Sequence, residues 1–254
     1  MELDLGVWLG QYLWPLSRIS AFVLAMPILG SRIVPMRIRL LFCLLLTAVA
    51  APMLQNLPRC NPLSMECWVI VVQQTLIGLT LGFMMQILFQ VANITGQLVA
   101  TQSGLGFSSM MDPNTGVSVA SISQFYTMLV TLLFLSMDGH LVLIDYLVRS
   151  FQVLPITRSW DIPFNQHVLL ASGTWMFAAS LLAALPAMAA LLVVNLALGV
   201  MTRAAPQLNI FSVGFPITLM LGLLLIWLSL DSFAEQFRGL SDQAFAMLQE
   251  VVRT

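Results

Sequence analysis

The chain has 254 residues, 59% of them hydrophobic and only 8% charged. Soluble domains carry about a quarter charged residues, so this composition excludes a soluble globular protein and predicts an all-α integral membrane protein, because a helix satisfies its own backbone polar groups in lipid. The net charge of −1, with ten arginines and no lysine, offers no electrostatic basis for binding nucleic acid.

A bilayer core takes about 20 apolar residues in helical form, and about six regions meet or approach that length. The first, about Leu5 to Gly30, is predicted to be retained, since Met1-Glu2-Leu3-Asp4 is acidic where a cleavable signal is basic. Pro15 and Pro27 predict a kinked or broken helix, and Arg18 has to snorkel, pair or face water. Arg32, Arg37 and Arg39 form the densest basic cluster. The second segment runs about Leu40 to Pro52, and a polar link covers Gln55 to Glu66.

The third region begins at Cys67 and stays uncharged until Asp112, longer than one span needs. Gly78 and Gly82 form a Gly-x-x-x-Gly step that lets another backbone approach closely. Gln86, Gln90, Asn93, Gln97 and Thr101 are spaced 4, 3, 4 and 4, which places them on one helix face. Lipid cannot satisfy amides, so this stripe is expected to face protein or water, either as glue between helices or as a pore lining.

Between the third and fourth segments lies Gln97 to Gly116, with the core Gly104-Leu-Gly106-Phe107-Ser-Ser-Met110-Met111-Asp112-Pro113-Asn-Thr-Gly116. Glycine and proline rule out a regular helix here. Two readings are open: an ordinary connection, or a flexible constriction lining a pore. Val117 to Met137 makes the fourth segment. Asp138-Gly139-His140 interrupts it, with Asp138 and His140 expected as helix caps, and Asp145 and Arg149 are spaced for an ion pair on the continuation. A surface link follows from Pro155 to Pro163. The fifth region, Ile162 to Thr202, is again uncharged and over-long, with an expected bend at Pro186. Asn195 leads into a turn with one cation, Arg203, followed by Pro206, Gln207 and Asn209, and this stretch reads either as a turn or as a contact with another subunit. The sixth segment spans Ile210 to Leu230. From Asp231 to Thr254 the chain becomes an amphipathic helix, with Phe237, Leu240, Ala244, Leu248 and Val251 on one side, expected to pack on a partner or lie at an interface.

The basic cluster at Arg32, Arg37 and Arg39 favours the cytoplasmic side for the first loop. Alternation then places the central loop and Arg203 inside, and both termini outside. Cys60 and Cys67 flank a polar loop and can form a disulfide in an oxidising compartment or stay as two thiols, whereas Cys43 reads as a small buried hydrophobe. His140 and His167 fit no metal-ligand spacing, no nucleotide-binding glycine pattern appears, and no serine and histidine are placed deep in two helices as a membrane hydrolase needs. Neither enzymatic activity nor a cofactor is expected. A secondary transporter with a broken-helix site is the rival reading, although such sites hold ionisable residues and the long central regions here carry amides and methionines.

Several motifs resemble the FliR family of the bacterial flagellar export gate, related to the proteins of virulence type III secretion. These are Tyr12-Leu-Trp-Pro15-Leu-Ser-Arg18, Ala25-Met-Pro27-Ile-Leu-Gly30, Gln73-Gln74 through Gly82-Phe83, Gly96-Gln97 through Phe107 with Asp112-Pro113, Asp138-Gly139-His140-Leu141, and Asn195-Leu-Ala-Leu-Gly199-x3-Arg203-x-Ala-Pro206-Gln207-x-Asn209 with Gly214-Phe-Pro216. The resemblance covers about residues 7 to 230. It implies a FliP-like part, residues 1–160, fused to a FliQ-like hairpin with an amphipathic tail, residues 161–254. It further implies assembly with FliP-like and FliQ-like subunits and a FlhB-like protein in the inner membrane at the flagellar basal body, and passage of unfolded flagellar proteins. The family's pore plug corresponds here to about residues 104–119, with Gly104, Gly106, Phe107, Met110, Met111, Asp112, Pro113 and Gly116.

Overall fold

The computed structural model describes residues 5–31, 33–54, 58, 64–107, 109–111, 118–157, 165–204 and 210–252. Among these, seven α-helices carry the fold: α1 (Leu5–Ala25), α2 (Met36–Ala50), α3 (Met65–Gln102), α4 (Ser121–Ser136), α5 (Gly139–Val153), α6 (Gln166–Ala204) and α7 (Ile210–Val252). Short 3-10 turns follow α2 (Ala51–Met53) and α3 (Leu105–Phe107). Two three-residue strands, β1 (Ser109–Met111) and β2 (Ser118–Ala120), pair antiparallel, with Met110 opposite Val119. The expected all-α chain therefore holds one small strand pair, placed where glycine and proline were expected to break the helix.

The axis is α3. Its 38 residues extend about 57 Å at 1.5 Å per residue. It packs against α1, α4, α6 and α7, which leaves it buried on several faces rather than one, with Ile70, Ile77, Leu81, Met85, Leu88 and Val99 all in the core. The Gly-x-x-x-Gly step works within the chain. An added Cβ at Gly78 would lie 2.2 Å from the Arg18 carbonyl oxygen, and one at Gly82 would lie 2.5 Å from Ala25 Cβ. Small residues let α1 lie along α3 with its backbone in contact. Gly96 does the same for α4, where an added Cβ would lie 2.5 Å from Ser123 Cα.

Expectation and structure differ in three places. About six spans were expected, whereas among the described residues four helices are long and apolar enough to cross a membrane: α2 with its 3-10 turn, α3, α6 and α7. The bent pair α4–α5 makes a fifth if counted as one. The first segment, α1, is not among them; it buries Trp14, Ile19, Phe22 and Val23 inside the protein together with Arg18. Second, the sixth segment and the amphipathic tail are one continuous helix of 43 residues. The charge that begins at Asp231 changes what the helix faces, not whether it is helical, because no proline or glycine stops it there. Third, the tail's apolar side is covered by this chain itself. Phe233 meets the Tyr126 ring edge-on at 4.7 Å, Phe245 stacks on Tyr146 at 5.8 Å, and the Asn165 amide donates to the Val251 carbonyl at 3.4 Å.

The interruption at Asp138-Gly139 is a sharp one: α4 and α5 meet at 69°. Asp138 occupies the left-handed region at φ 56° and its side chain makes no capping bond, so it turns the chain without capping α5. Gly139 fits because an added Cβ would lie 2.5 Å from the Phe134 ring. Asp145 and Arg149 form the expected ion pair at 2.8 Å.

A candidate pore loop and the helices that hold it

The central loop leaves α3 through a close-fitted junction. The Ser103 amide donates to the Val99 carbonyl at 3.0 Å, and its hydroxyl donates to the Ala100 carbonyl at 3.1 Å. Gly104 then adopts φ +79°, the left-handed region that glycine enters without a Cβ penalty and that commonly ends helices. The loop's second glycine is different. Gly106 is exposed, and an added Cβ there would make only ordinary contact, 3.4 Å from Thr101 Cα. The chain continues through the 3-10 turn containing Phe107 into β1, which carries Met110 and Met111. Asp112, Pro113 and Gly116 lie outside the described residues.

Three consecutive residues at the junction each meet the α6–α7 hairpin. Asn195 Nδ2 of α6 donates to the Gln102 carbonyl at 3.3 Å. Gly222 of α7 lies against Ser103, where an added Cβ would lie 2.6 Å from Ser103 Cβ. The Phe215 ring lies over Gly104, 3.1 Å from where a Cβ would stand. Asn195, singled out from the sequence, thus touches the end of α3 two residues before Gly104, where the loop begins. Arg203 is exposed in the last turn of α6, where a cation complements the helix dipole, rather than in the turn beyond it. Pro206, Gln207 and Asn209 lie outside the described residues.

The polar stripe on α3 runs toward this junction. Its amides bond one another: Asn93 Nδ2 donates to Gln90 Oε1 at 3.3 Å, and Gln97 Nε2 donates to Asn93 Oδ1 at 3.3 Å. Thr101 closes the ladder by donating to the Gln97 carbonyl at 2.7 Å. Gln86, Gln90 and Asn93 are half-buried, while Gln97 and Thr101 are exposed. The stripe thus becomes more open as it nears the loop.

Sequence reasoning anticipated that Arg18 needs partners but did not find them. Its guanidinium is fully buried, with Nε donating to Gln74 Oε1 at 2.8 Å, Nη1 to Ser150 Oγ at 3.1 Å and Nη2 to the Leu154 carbonyl at 2.8 Å. It also lies 4.3 Å from the centre of the Phe151 ring. The signal available was Gln74, one of the amides in the uncharged run of α3 that follows Glu66. A separate cavity of about 320 Å³ opens beside Pro186, lined by Tyr126, Ser229, Ser232 and Gln236 among others, with no charged group in its wall. Among the described residues no three His, Cys, Asp or Glu side chains gather as metal ligands.

Long apolar helices packed around α3, itself apolar apart from its amide stripe, with an irregular loop after it, define a membrane-embedded protein. The sequence pattern described as bacterial export proteins, family 1, matches residues 9–244. The chain belongs to that family, the family of the FliR proteins. It is 37% identical over 250 residues to the flagellar biosynthetic protein FliR of Escherichia coli K12, covering 96% of this chain and 94% of that one. It is 36% identical over 253 residues to the FliR of Pectobacterium carotovorum, covering 98% and 95%. With the FliR of Caulobacter vibrioides it shares 32% identity over 233 residues, covering 89% and 92%.

Proposed function

We propose that this chain is a pore-forming subunit of the flagellar type III export gate in the bacterial inner membrane, and that its central loop, about residues 104–119, is the plug. In this reading residues 1–160 form a FliP-like part and residues 161–254 a FliQ-like hairpin. Its partners are FliP-like and FliQ-like subunits, a FlhB-like protein and unfolded flagellar export substrates. The observation that carries the proposal is the loop itself: a left-handed glycine and a three-residue strand pair inserted between α3, whose amide ladder opens toward the loop, and α4. Irregular backbone beside membrane helices is tolerated where protein buries it or where it borders water. A conduit for many different unfolded chains needs a seal without strong preference for any of them. Methionine suits such a seal, being unbranched, polarisable and easily repacked.

The polar stripe, Gln86, Gln90, Asn93 and Gln97, takes one of two roles within the same assembly, contact with a neighbouring helix or wall of the passage. Exposed Arg203, with Pro206, Gln207 and Asn209, is proposed as a subunit contact, while Asn195 bonds within this chain to Gln102. The transporter reading calls for a broken-helix site with ionisable groups at mid-membrane. The cavity beside Pro186 is the nearest candidate and has an uncharged wall, which favours the gate.

Deletion of residues 106–115 tests the plug. The assembled complex, purified through a tag on this chain and placed in a planar bilayer, is expected to conduct potassium chloride continuously after the deletion. An unchanged conductance would reduce the loop to a linker.

A further inference from the structure

We infer that α2 faces lipid and that Arg37 at its start holds the phosphate of an anionic phospholipid in the cytoplasmic leaflet. The inference goes beyond the export reading and does not depend on the plug.

Only one narrow stripe of α2 turns inward. Cys43, Thr47 and Ala50 are buried, and the helix packs on α1. The Thr47 hydroxyl donates to the Cys43 carbonyl at 2.7 Å, so it requires nothing from a neighbour. Most of the remaining circumference is open, with Leu40, Leu41, Leu44, Leu45, Val49 and Met53 all exposed. Helices meet inside membranes through small and polar residues, as Gly78 and Gly82 do for α1 on α3. The open side of α2 has no glycine, hydroxyl or amide, and one alanine, Ala48. Bulky aliphatic side chains of this kind suit fluid acyl chains, which need no matching shape. Met36–Met53 extends about 27 Å at 1.5 Å per residue, close to the hydrocarbon core of about 30 Å.

Charge identifies the lipid. Arg37 is exposed, and among the described residues it has no ion-pair or hydrogen-bond partner. Arg39, two residues on, is engaged within the chain, where its Nη2 donates to the Ser31 carbonyl at 2.8 Å. The sequence holds no Asp or Glu between Asp4 and Glu66, so no nearby carboxylate can neutralise Arg37. A cation in the first turn also opposes the helix dipole, and no acidic residue or side-chain cap offsets it there. An external anion resolves both costs. The far end of α2 leads to Cys67, which is disulfide-bonded and so lies away from the cytoplasm. The Arg37 end is therefore cytoplasmic, as the arginine cluster also indicates. There the leaflet's phosphates are within reach of a side chain standing one turn from Leu41, on the same face.

The test reads lipid identity at α2 itself. Leu41 is replaced by a diazirine amino acid, and the assembled complex is placed in bilayers of phosphatidylcholine with a minority of phosphatidylglycerol. After illumination, the adducts at position 41 are identified by mass spectrometry. Phospholipid adducts are expected, with phosphatidylglycerol about fivefold above its share of the bilayer, the preference that one arginine contributes at an anionic surface. Arg37→Gln is expected to return it to that share, and Arg37→Lys to keep the excess. Arg149→Gln is expected to change nothing, because Arg149 already pairs with Asp145 at 2.8 Å. Adducts to a protein subunit would overturn the inference, since another helix would then cover α2. Phosphatidylglycerol at its bilayer share in the parent would overturn it as well. If Arg37→Gln is poorly recovered, salt decides on the parent: an excess that falls with rising salt supports a phosphate at Arg37, and an excess indifferent to salt overturns it.

Discussion

Arg18 Nε and Gln74 Oε1 are 2.8 Å apart in the interior, and none of the described partners of this arginine is a carboxylate. The cation is held by an amide, a hydroxyl, a carbonyl and the face of Phe151. Those partners come from α3, α5 and the residue that ends α5, so one planar fork joins three parts of the chain. Removing it by Arg18→Met leaves Gln74 Oε1 and the Leu154 carbonyl buried without this donor, at about 1–3 kcal/mol for each group orphaned. Arg18→Lys keeps the charge but cannot span three acceptors with a single ammonium. Thermal loss of the monodisperse purified complex is expected to come earliest for Met, later for Lys and last for the parent. A Met variant as heat-resistant as the parent would remove Arg18 from its central place.

Gly78 makes a sharper demand than most helical glycines. Its missing side chain is where the Arg18 carbonyl lies, with 2.2 Å between that oxygen and an added Cβ. Backbone cannot swing aside as a side-chain tip can, so Gly78→Ala has to separate α1 from α3. Gly173 in α6 gives the opposite result on the same chemistry. Nothing lies within 4 Å of its added Cβ, and alanine gains about 1 kcal/mol over glycine in a helix interior. Gly78→Ala is expected to abolish recovery of folded protein, while Gly173→Ala matches or exceeds the parent in thermal stability. Equal recovery of the two variants would contradict the close helix contact.

Both the reach and the limits of the sequence are visible at particular residues. The amide ladder was legible because helical periodicity alone puts Gln90, Asn93 and Gln97 on one face. The break at Asp138-Gly139 was legible from residue type. The partners of Arg18 were not, because they lie 56, 132 and 136 residues away in the chain, and local pattern carries no information about such separations. The continuity of α7 was hidden by a change of composition at Asp231 that resembles an end. Polar residues there alter only the environment of a helix whose backbone bonds run on. The strand pair β1–β2 escaped because three residues are too few to show alternation. The junction at Gly104 was legible as a turn, but its dependence on Phe215 and Gly222 requires the tertiary contact.

The ion pair between Asp145 and Arg149 makes a useful contrast with Arg18. Its two side chains are 54% and 68% exposed. Water screens such a pair, and exposed pairs four residues apart on a helix contribute about 0.3–0.5 kcal/mol. Asp145→Asn is therefore expected to shift the thermal midpoint of the complex by no more than about a degree or two, since a kilocalorie moves a large protein by only a few degrees. Raising the salt concentration is expected to erase the difference altogether. A larger or salt-insensitive loss would show that Asp145 serves some contact beyond Arg149.

Cys67 stands at the start of α3, and it is disulfide-bonded, whereas Cys43 is free and buried in α2. Cys60 lies outside the described residues. Disulfides persist in oxidising compartments, so the N-terminal end of α3 is expected to face outward from the cytoplasm. The loop junction at the far end of the same helix, about 57 Å away, then faces the opposite way, in agreement with the arginine cluster at the first loop. Intact cells expressing this protein allow a direct check. A membrane-impermeant maleimide is expected to leave Cys67 unlabelled until an equally impermeant reductant is added from outside, and to label it afterwards. Cys67→Ser abolishes the need for reductant, because the cysteine bonded to Cys67 becomes a free thiol. Labelling without any reductant would show a free thiol, and labelling only after the membrane is opened would reverse the orientation of the whole helix.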